Sequence, residues 1–292
     1  MRSVPLIAAL TAVLFASPVL AASDSCLAVM AGDGGSPVIS ATVSGRGPFD
    51  FVLDTAASGT TVDEATAARL GLTRDTATET AEGLGGPMDV RLYRVPVLTA
   101  GSLSLTDFTA PAIPAPELNG HAIVGLAGID LFGEAQAIWG DVSGCVTLRD
   151  SGAAFSDDWR PVEIRWIRPW KILLPIRIGG VDGWGLLDTG AQHTVLNPAF
   201  AARLGLSGDR LSDGGEISGI DGRPLALSLA TVESVRVGAW TWEDRTLRIG
   251  DLPVFARLGE ADAPLAIIGI DWLGDRGFAI DYGAEQVWQR AP

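Results

Sequence analysis

The chain repeats itself. Asp54-Thr55-Ala56-Ala57-Ser58 returns as Asp188-Thr189-Gly190-Ala191-Gln192, and thirteen residues after each aspartate the hexapeptide Ala-Ala-Arg-Leu-Gly-Leu begins, at Ala67 and at Ala201. A glycine-rich stretch follows in both copies, Gly83-Leu84-Gly85-Gly86 and Gly219-Ile220-Asp221-Gly222. Then comes Leu126-Ala127-Gly128-Ile129-Asp130 against Ile267-Ile268-Gly269-Ile270-Asp271. The identical spacing from aspartate to hexapeptide rules out coincidence, the later elements drift only by loop-sized insertions, and the pattern requires two copies of one structural unit. If the copies pack about a pseudo-two-fold axis, equivalent loops meet at that axis. Asp54 and Asp188 then form one site from two loops.

Each copy reads as a strand, a turn, a second strand ending at the aspartate, and a short helix. Ser36 to Val43, the turn Ser44-Gly45-Arg46-Gly47-Pro48 and Phe49 to Leu53 make the first hairpin. Ile172 to Ile178, a glycine turn and Trp184 to Leu187 make the second. The first helix has Asp63 as its N-cap and Gly71 as terminator. The second has Asn197 as cap, Pro198 at its first position and Gly205 past its end. The remainder, rich in Val, Leu, Ile and Thr and punctuated by Gly and Pro, predicts short strands and a mostly β architecture. Asp150 to Pro161 reads as the linker between copies. This predicts lobes at 22–152 and 153–292.

The N-terminus carries Arg2, an uncharged apolar run from Val4 to Leu20 and small residues around Ala21. This is the pattern of a secretory signal, residues 1–21, and it predicts a periplasmic or secreted protein with no stable membrane insertion after cleavage. An uncleaved anchor is the alternative; the run is short for a span. Losing Arg2 takes the formal charge from −14 to −15, and so acidic a protein repels phosphate backbones. Nucleic acid is therefore not an expected partner, although Arg165, Trp166, Arg168, Trp170 and Lys171 interleave basic and aromatic residues. That segment reads instead as an interlobe strand with its tryptophans packed inward. The two cysteines, Cys26 and Cys145, suit an oxidising compartment in which one bridge closes a long loop; two buried free thiols are the other option. His121 and His193 are the only imidazoles and no zinc-ligand spacing can be assembled, so neither metal nor other cofactor is expected.

One Asp-Thr-Gly is a weak signal, since such residues commonly make a turn. Two in duplicated halves point to paired-carboxylate chemistry. Carboxylates that close cannot both ionise, so the pair keeps one proton over a wide pH range. The ionised member can take a proton from a water attacking a carbonyl while the protonated member polarises the carbonyl oxygen. The two Asp-Thr loops and the later Ile267-Ile268-Gly269-Ile270-Asp271-Trp272-Leu273 resemble those of retropepsin-like aspartic proteases, over almost the whole chain after the signal. The lobes are similar to a bacterial-type, single-chain relative in which two retropepsin halves are fused.

The resemblance implies two pseudo-symmetric β lobes with the active site between them, a peptide or protein substrate and a monomer. It implies that Asp54 and Asp188 are the catalytic pair and that Thr55 and Thr189 cross-bond beneath them. It implies flaps at Gly83, Leu84, Gly85 and Gly86 and at Gly219, Ile220, Asp221 and Gly222, although an ordinary hairpin turn fits the same residues. Gly128 and Gly269 become close-packing residues, and Asp130 and Asp271 structural caps. Two departures stand out. Ala56 occupies the usual glycine position, where its methyl could crowd substrate. Gln192 replaces the serine of the first loop, Ser58, whose hydroxyl is expected to support Asp54 and make it the more readily ionised partner. His193 is expected to pack or face solvent. Competing readings are a catalytically weak, protease-like peptide-binding module and a secreted β-protein whose Asp-Thr loops are only turns.

Overall fold

The computed structural model describes residues 24–32, 35–116, 118, 120–141, 144–167, 171–259, 262–274 and 276–291. The expected signal segment, Arg168 and Trp170 lie outside the described residues. Strand Pro37–Val43 pairs antiparallel with Arg46–Leu53, and Lys171–Ile178 with Val181–Leu187. Both connections are tighter than the sequence suggests. Ser44 and Gly45 (φ 51° and 71°) turn the first hairpin, and Gly179 and Gly180 (φ 51° and 85°) the second. Two consecutive left-handed residues match the twist of the flanking strands. Arg46, Gly47 and Pro48, expected in the turn, therefore belong to the strand that leads to Asp54.

Each aspartate-bearing strand is flanked by a parallel partner, Ile123–Ala127 beside Arg46–Leu53 and Leu265–Ile268 beside Val181–Leu187. The pairing extends one bond further in both halves: the Asp54 amide donates to the Ala127 carbonyl (3.0 Å) and the Asp188 amide to the Ile268 carbonyl (3.1 Å). The aspartates thus leave the sheet at equivalent points. The helices after the loops are Glu64–Leu70 and Pro198–Arg203. Asp63 accepts from the Thr66 amide and Asn197 from the Phe200 amide, both at 2.9 Å, and Gly71 and Gly205 take positive φ beyond the ends. These caps place both helices as the sequence predicts. Among the described residues no helix is long and apolar enough to cross a membrane.

The halves are joined by a six-stranded sheet in the order Ser25–Ala28, Cys145–Arg149, Gln136–Asp141, Phe278–Asp281, Gln286–Arg290, Trp159–Val162. Its first three strands precede residue 152 and its last three follow it. Trp159 to Pro161 therefore form an edge strand, where a linker is expected; loop extends only from Asp150 to Asp158. The linker's start is pinned by Asp281, which accepts from the Ser151 hydroxyl (2.6 Å) and the Gly152 amide (2.8 Å). At the seam Trp139 stacks on Phe278 (5.5 Å) and Phe132 on Tyr282 (5.0 Å). One hydrophobic cluster runs through both halves, from Phe51 and Trp139 to Trp240 and Phe278. Cys26 and Cys145 are bonded to each other on this sheet, so the free-thiol option falls.

Candidate active site

Asp54 and Asp188 meet where the duplicated loops face each other, close enough that the charge of Asp54 acts on Asp188. Beneath them the two threonines are fully buried and exchange four bonds. Thr55 donates its hydroxyl to the Leu187 carbonyl (3.0 Å) and accepts from the Thr189 amide (3.0 Å). Thr189 donates to the Leu53 carbonyl (2.7 Å) and accepts from the Thr55 amide (3.1 Å). Every bond crosses between halves, so neither aspartate can move without the other loop. Thr189→Val keeps the volume and leaves the Leu53 carbonyl and Thr55 amide without partners. Urea unfolding should show a loss of about 2 to 6 kcal/mol, since each of the two buried unsatisfied groups costs about 1–3 kcal/mol.

The loops are further held at their exits. Asp130 accepts from the Thr60 amide (2.9 Å) and hydroxyl (2.7 Å), and Asp271 from the Thr194 amide (2.9 Å) and hydroxyl (2.8 Å). These carboxylates brace the two aspartate loops; they do not act only as caps of their own turns. Gly128 and Gly269 lie where a β-carbon would sit 2.6 Å from backbone carbon of Gly59 and of His193 respectively. Close packing of these glycines against the loops agrees with the sequence reading.

Support for the two carboxylates is unequal. Asp54 Oδ1 accepts from the amides of Ala56 (2.7 Å) and Ala57 (3.0 Å), whereas Asp188 Oδ1 accepts from Ala191 (2.9 Å). Ser58 makes no hydrogen bond to Asp54 among the described residues, so the expected hydroxyl support is replaced by main-chain amides. Gln192 occupies the Ser58 position in the second loop, half-buried. Dense surroundings push both carboxyls above the usual range. For Asp188, burial and then the charge of Asp54 push the value up to about 8. Lys171 and the Ala56 and Ala57 amides pull Asp54 the other way. Lys171 and main-chain amides act on Asp188 in the same sense, but the charge of Asp54 raises it, so the direction within the pair is toward Asp54 ionised and Asp188 protonated.

Gly190 has no room for a side chain, because a β-carbon there would lie 2.6 Å from the Asp54 carboxyl carbon. Its counterpart Ala56 packs, partly buried, against the cluster that holds Leu173, Leu186 and Phe255. Gly190→Ala should displace the Asp54 carboxylate and lower turnover by at least about 100-fold, the scale of a 1 Å misplacement. Far-ultraviolet circular dichroism of this variant should be unchanged.

Both glycine-rich segments are tips of long hairpins, Thr73–Gly83 with Gly86–Ala100 and Ser212–Ser218 with Pro224–Val237. The tips cross. Leu84 packs into the second half's cluster and Ile220 into the first half's, beside Ala57. Arg223 donates to the Gly85 carbonyl (3.1 Å), and Glu82 pairs with Arg257 of the other half. His193 is half-buried, and burial followed by the charge of Arg248 lowers its pKa. Its Nδ1 has no hydrogen-bond partner among the described residues. One residue near the pair escaped the sequence reading: Lys171 Nζ donates to the Ala56 carbonyl. The available signal was composition, because Lys171 is the only lysine among 21 Lys and Arg residues.

A family model described as aspartyl protease matches the chain over residues 39–131 and 174–272, each stretch holding one aspartate loop and its later glycine segment. No curated protein matches the chain.

Proposed function

The chain belongs to the aspartyl protease family, and from that premise we propose that it is an exported aspartic endopeptidase that cleaves extended peptide segments. One observation carries the reading: two mutually interacting buried carboxyl groups, one from each half, fixed by reciprocal threonine bonds. Asp54, ionised, takes a proton from a water held between the carboxyls as that water attacks the scissile carbonyl. Asp188, protonated, donates to the carbonyl oxygen. The tetrahedral diol then collapses as the amine leaves with a proton from Asp54 while a diol hydroxyl returns a proton to Asp188, which restores both carboxyls. The lobes 22–152 and 153–292 each supply one carboxyl. Crossed hairpin tips suit a substrate lying extended beneath them, and opening them precedes binding. Export rests on the signal pattern of residues 1–21 and on the Cys26–Cys145 bridge, which suits an oxidising compartment. A monomer suffices, since both carboxyls come from one chain.

Incubating the purified protein with a peptide library from denatured proteins at pH 3 to 8, beside Asp188→Asn, tests the proposal. Cleavage by the wild type alone supports it. The closed tips, tied by Arg223 to Gly85 and by Glu82 to Arg257, favour a second reading as a peptide-binding module with little turnover. Peptide retained without cleavage would select that reading. The elevated carboxyl of Asp188 adds a pH prediction: it stays protonated through neutrality, so kcat/KM should persist to about pH 7 and fall as pH rises through about 8.

A further inference from the structure

The chain uses arginine at every basic position but one, and that one lies at the carboxyl pair. Lys171 opens strand Lys171–Ile178 in the second half, is half-buried, and sends its ammonium to the carbonyl of Ala56 in the first half's loop. The Ala57 amide, in the same peptide unit as that carbonyl, in turn bonds Asp54 (3.0 Å). One ammonium, one peptide unit and one carboxylate therefore form a continuous chain across the halves. The duplication does not repeat it. Lys171 precedes Asp188 by 17 residues, and the residue that precedes Asp54 by the same interval is Pro37, which carries no charge.

We propose that Lys171 is a positioning residue that sets the pH range of the dyad, by holding a positive charge beside Asp54 and so fixing which carboxyl ionises and how far the singly protonated state extends. The inference rests on the protease reading of the site for its kinetic consequence but not for its physical one. A positive charge beside a carboxyl favours the ionised form, here for both aspartates and more for Asp54. Other charges near the loops are already engaged. Asp130 is held by Thr60, and Asp271 by Thr194 and, at 3.9 Å, Arg248. At the hairpin tips Arg223 faces Asp221 and the Gly85 carbonyl, and His193 lies between Arg248 and Asp271. The charges acting on the pair are thus each other and Lys171.

Three variants separate charge from hydrogen bonding. Lys171→Met removes both, Lys171→Gln retains a donor for Ala56 without charge, and Lys171→Arg retains charge. Carboxyl carbons of isotope-labelled aspartate, titrated by NMR from pH 3 to 10, read the pair directly, and the pH profile of kcat/KM reads it through activity. The upper titration step and the basic limb should rise by about one pH unit in the Met and Gln variants, the lower end of the range for a lost neighbouring charge, and stay near wild type in the Arg variant. Because Lys171 is the only lysine, acylating the folded wild type should reproduce the shift without refolding, with mass spectrometry separating it from reaction at the N-terminal amine. Unshifted titration in Met, Gln and acylated protein overturns the inference. A shift in Gln equal to wild type, with a shift in Met alone, assigns the hydrogen bond and also overturns it. Carboxyl titrations that move while no peptide is cleaved leave Lys171 as the tuning charge and defeat the protease reading instead.

Discussion

Asp188→Asn is expected to lose about 10²- to 10⁴-fold in peptide hydrolysis, the range for a positioned acid or base, while becoming more stable than the wild type at pH 8. Turnover needs a proton donor on one carboxyl and an acceptor on the other, and an amide supplies neither exchange. Stability follows the opposite course because the fold is held below the carboxyls, by Thr55 and Thr189. The sign follows from linkage. The Asp188 carboxyl titrates near 8 in the folded chain and at an ordinary 3.8 unfolded. The folded state therefore holds its proton more tightly, and stability declines as pH rises from about 4 through about 8. Asparagine is neutral throughout, so the variant loses the Asp188 share of this decline, and its unfolding midpoint should fall less than the wild type's as pH rises, the two converging below pH 4. Urea unfolding at pH 3.5, 6 and 8 checks this. A variant less stable at every pH would mean that the carboxyl is structural. Asp54→Asn should be equally inactive but should lower the titration of Asp188, by removing the charge that ranks after burial in raising it.

Much of this site was legible because it is local and written twice. Asp54 and Asp188 stand at strand ends whose apolar runs are visible in the sequence, and Asp63, Gly71, Asn197, Pro198 and Gly205 mark helix limits by side-chain chemistry that acts within four residues. The duplication supplies the pairing that no local signal contains. What escaped depends on how one half lies against the other. The tips of the two long hairpins were identified as tips, but the exchange of Leu84 and Ile220 between clusters needs both hairpins in place. Trp159 to Pro161 resembled linker because an edge strand shows only short alternation; its partner Gln286–Arg290 lies more than 120 residues away. The Ser58 expectation failed for a related reason: Asp54 takes its support from the amides of Ala56 and Ala57, main-chain donors that side-chain identity does not reveal. Lys171 was read in one dimension, as part of a basic and aromatic run, when its partner was 115 residues earlier in the chain.

Replacing Cys26 and Cys145 with serine should cost about 4 to 5 kcal/mol, the chain-entropy value for so long a loop, and lower the thermal midpoint by roughly 10 °C for a domain of this size. The cysteines are 119 residues apart, and together they hold almost the whole first half in one closed loop. Locally the bridge secures strand Ser25–Ala28, four residues at the edge of the interlobe sheet, whose Leu27 is fully buried. So short an edge strand has few ladder bonds to resist fraying. Its loss would expose Leu27 and the neighbouring Val146 and weaken the sheet that both halves share. Reductant should bring the wild type to the same unfolding midpoint as the double variant and leave that variant unmoved. A difference below about 1 kcal/mol would mean that strand pairing alone holds the edge. Below the transition, kcat/KM should be unchanged, since the bridge touches neither aspartate loop. The bridge's contribution is then confined to stability and exists only where thiols are oxidised, so the full stability of this fold and the proposed export are one requirement seen from two sides.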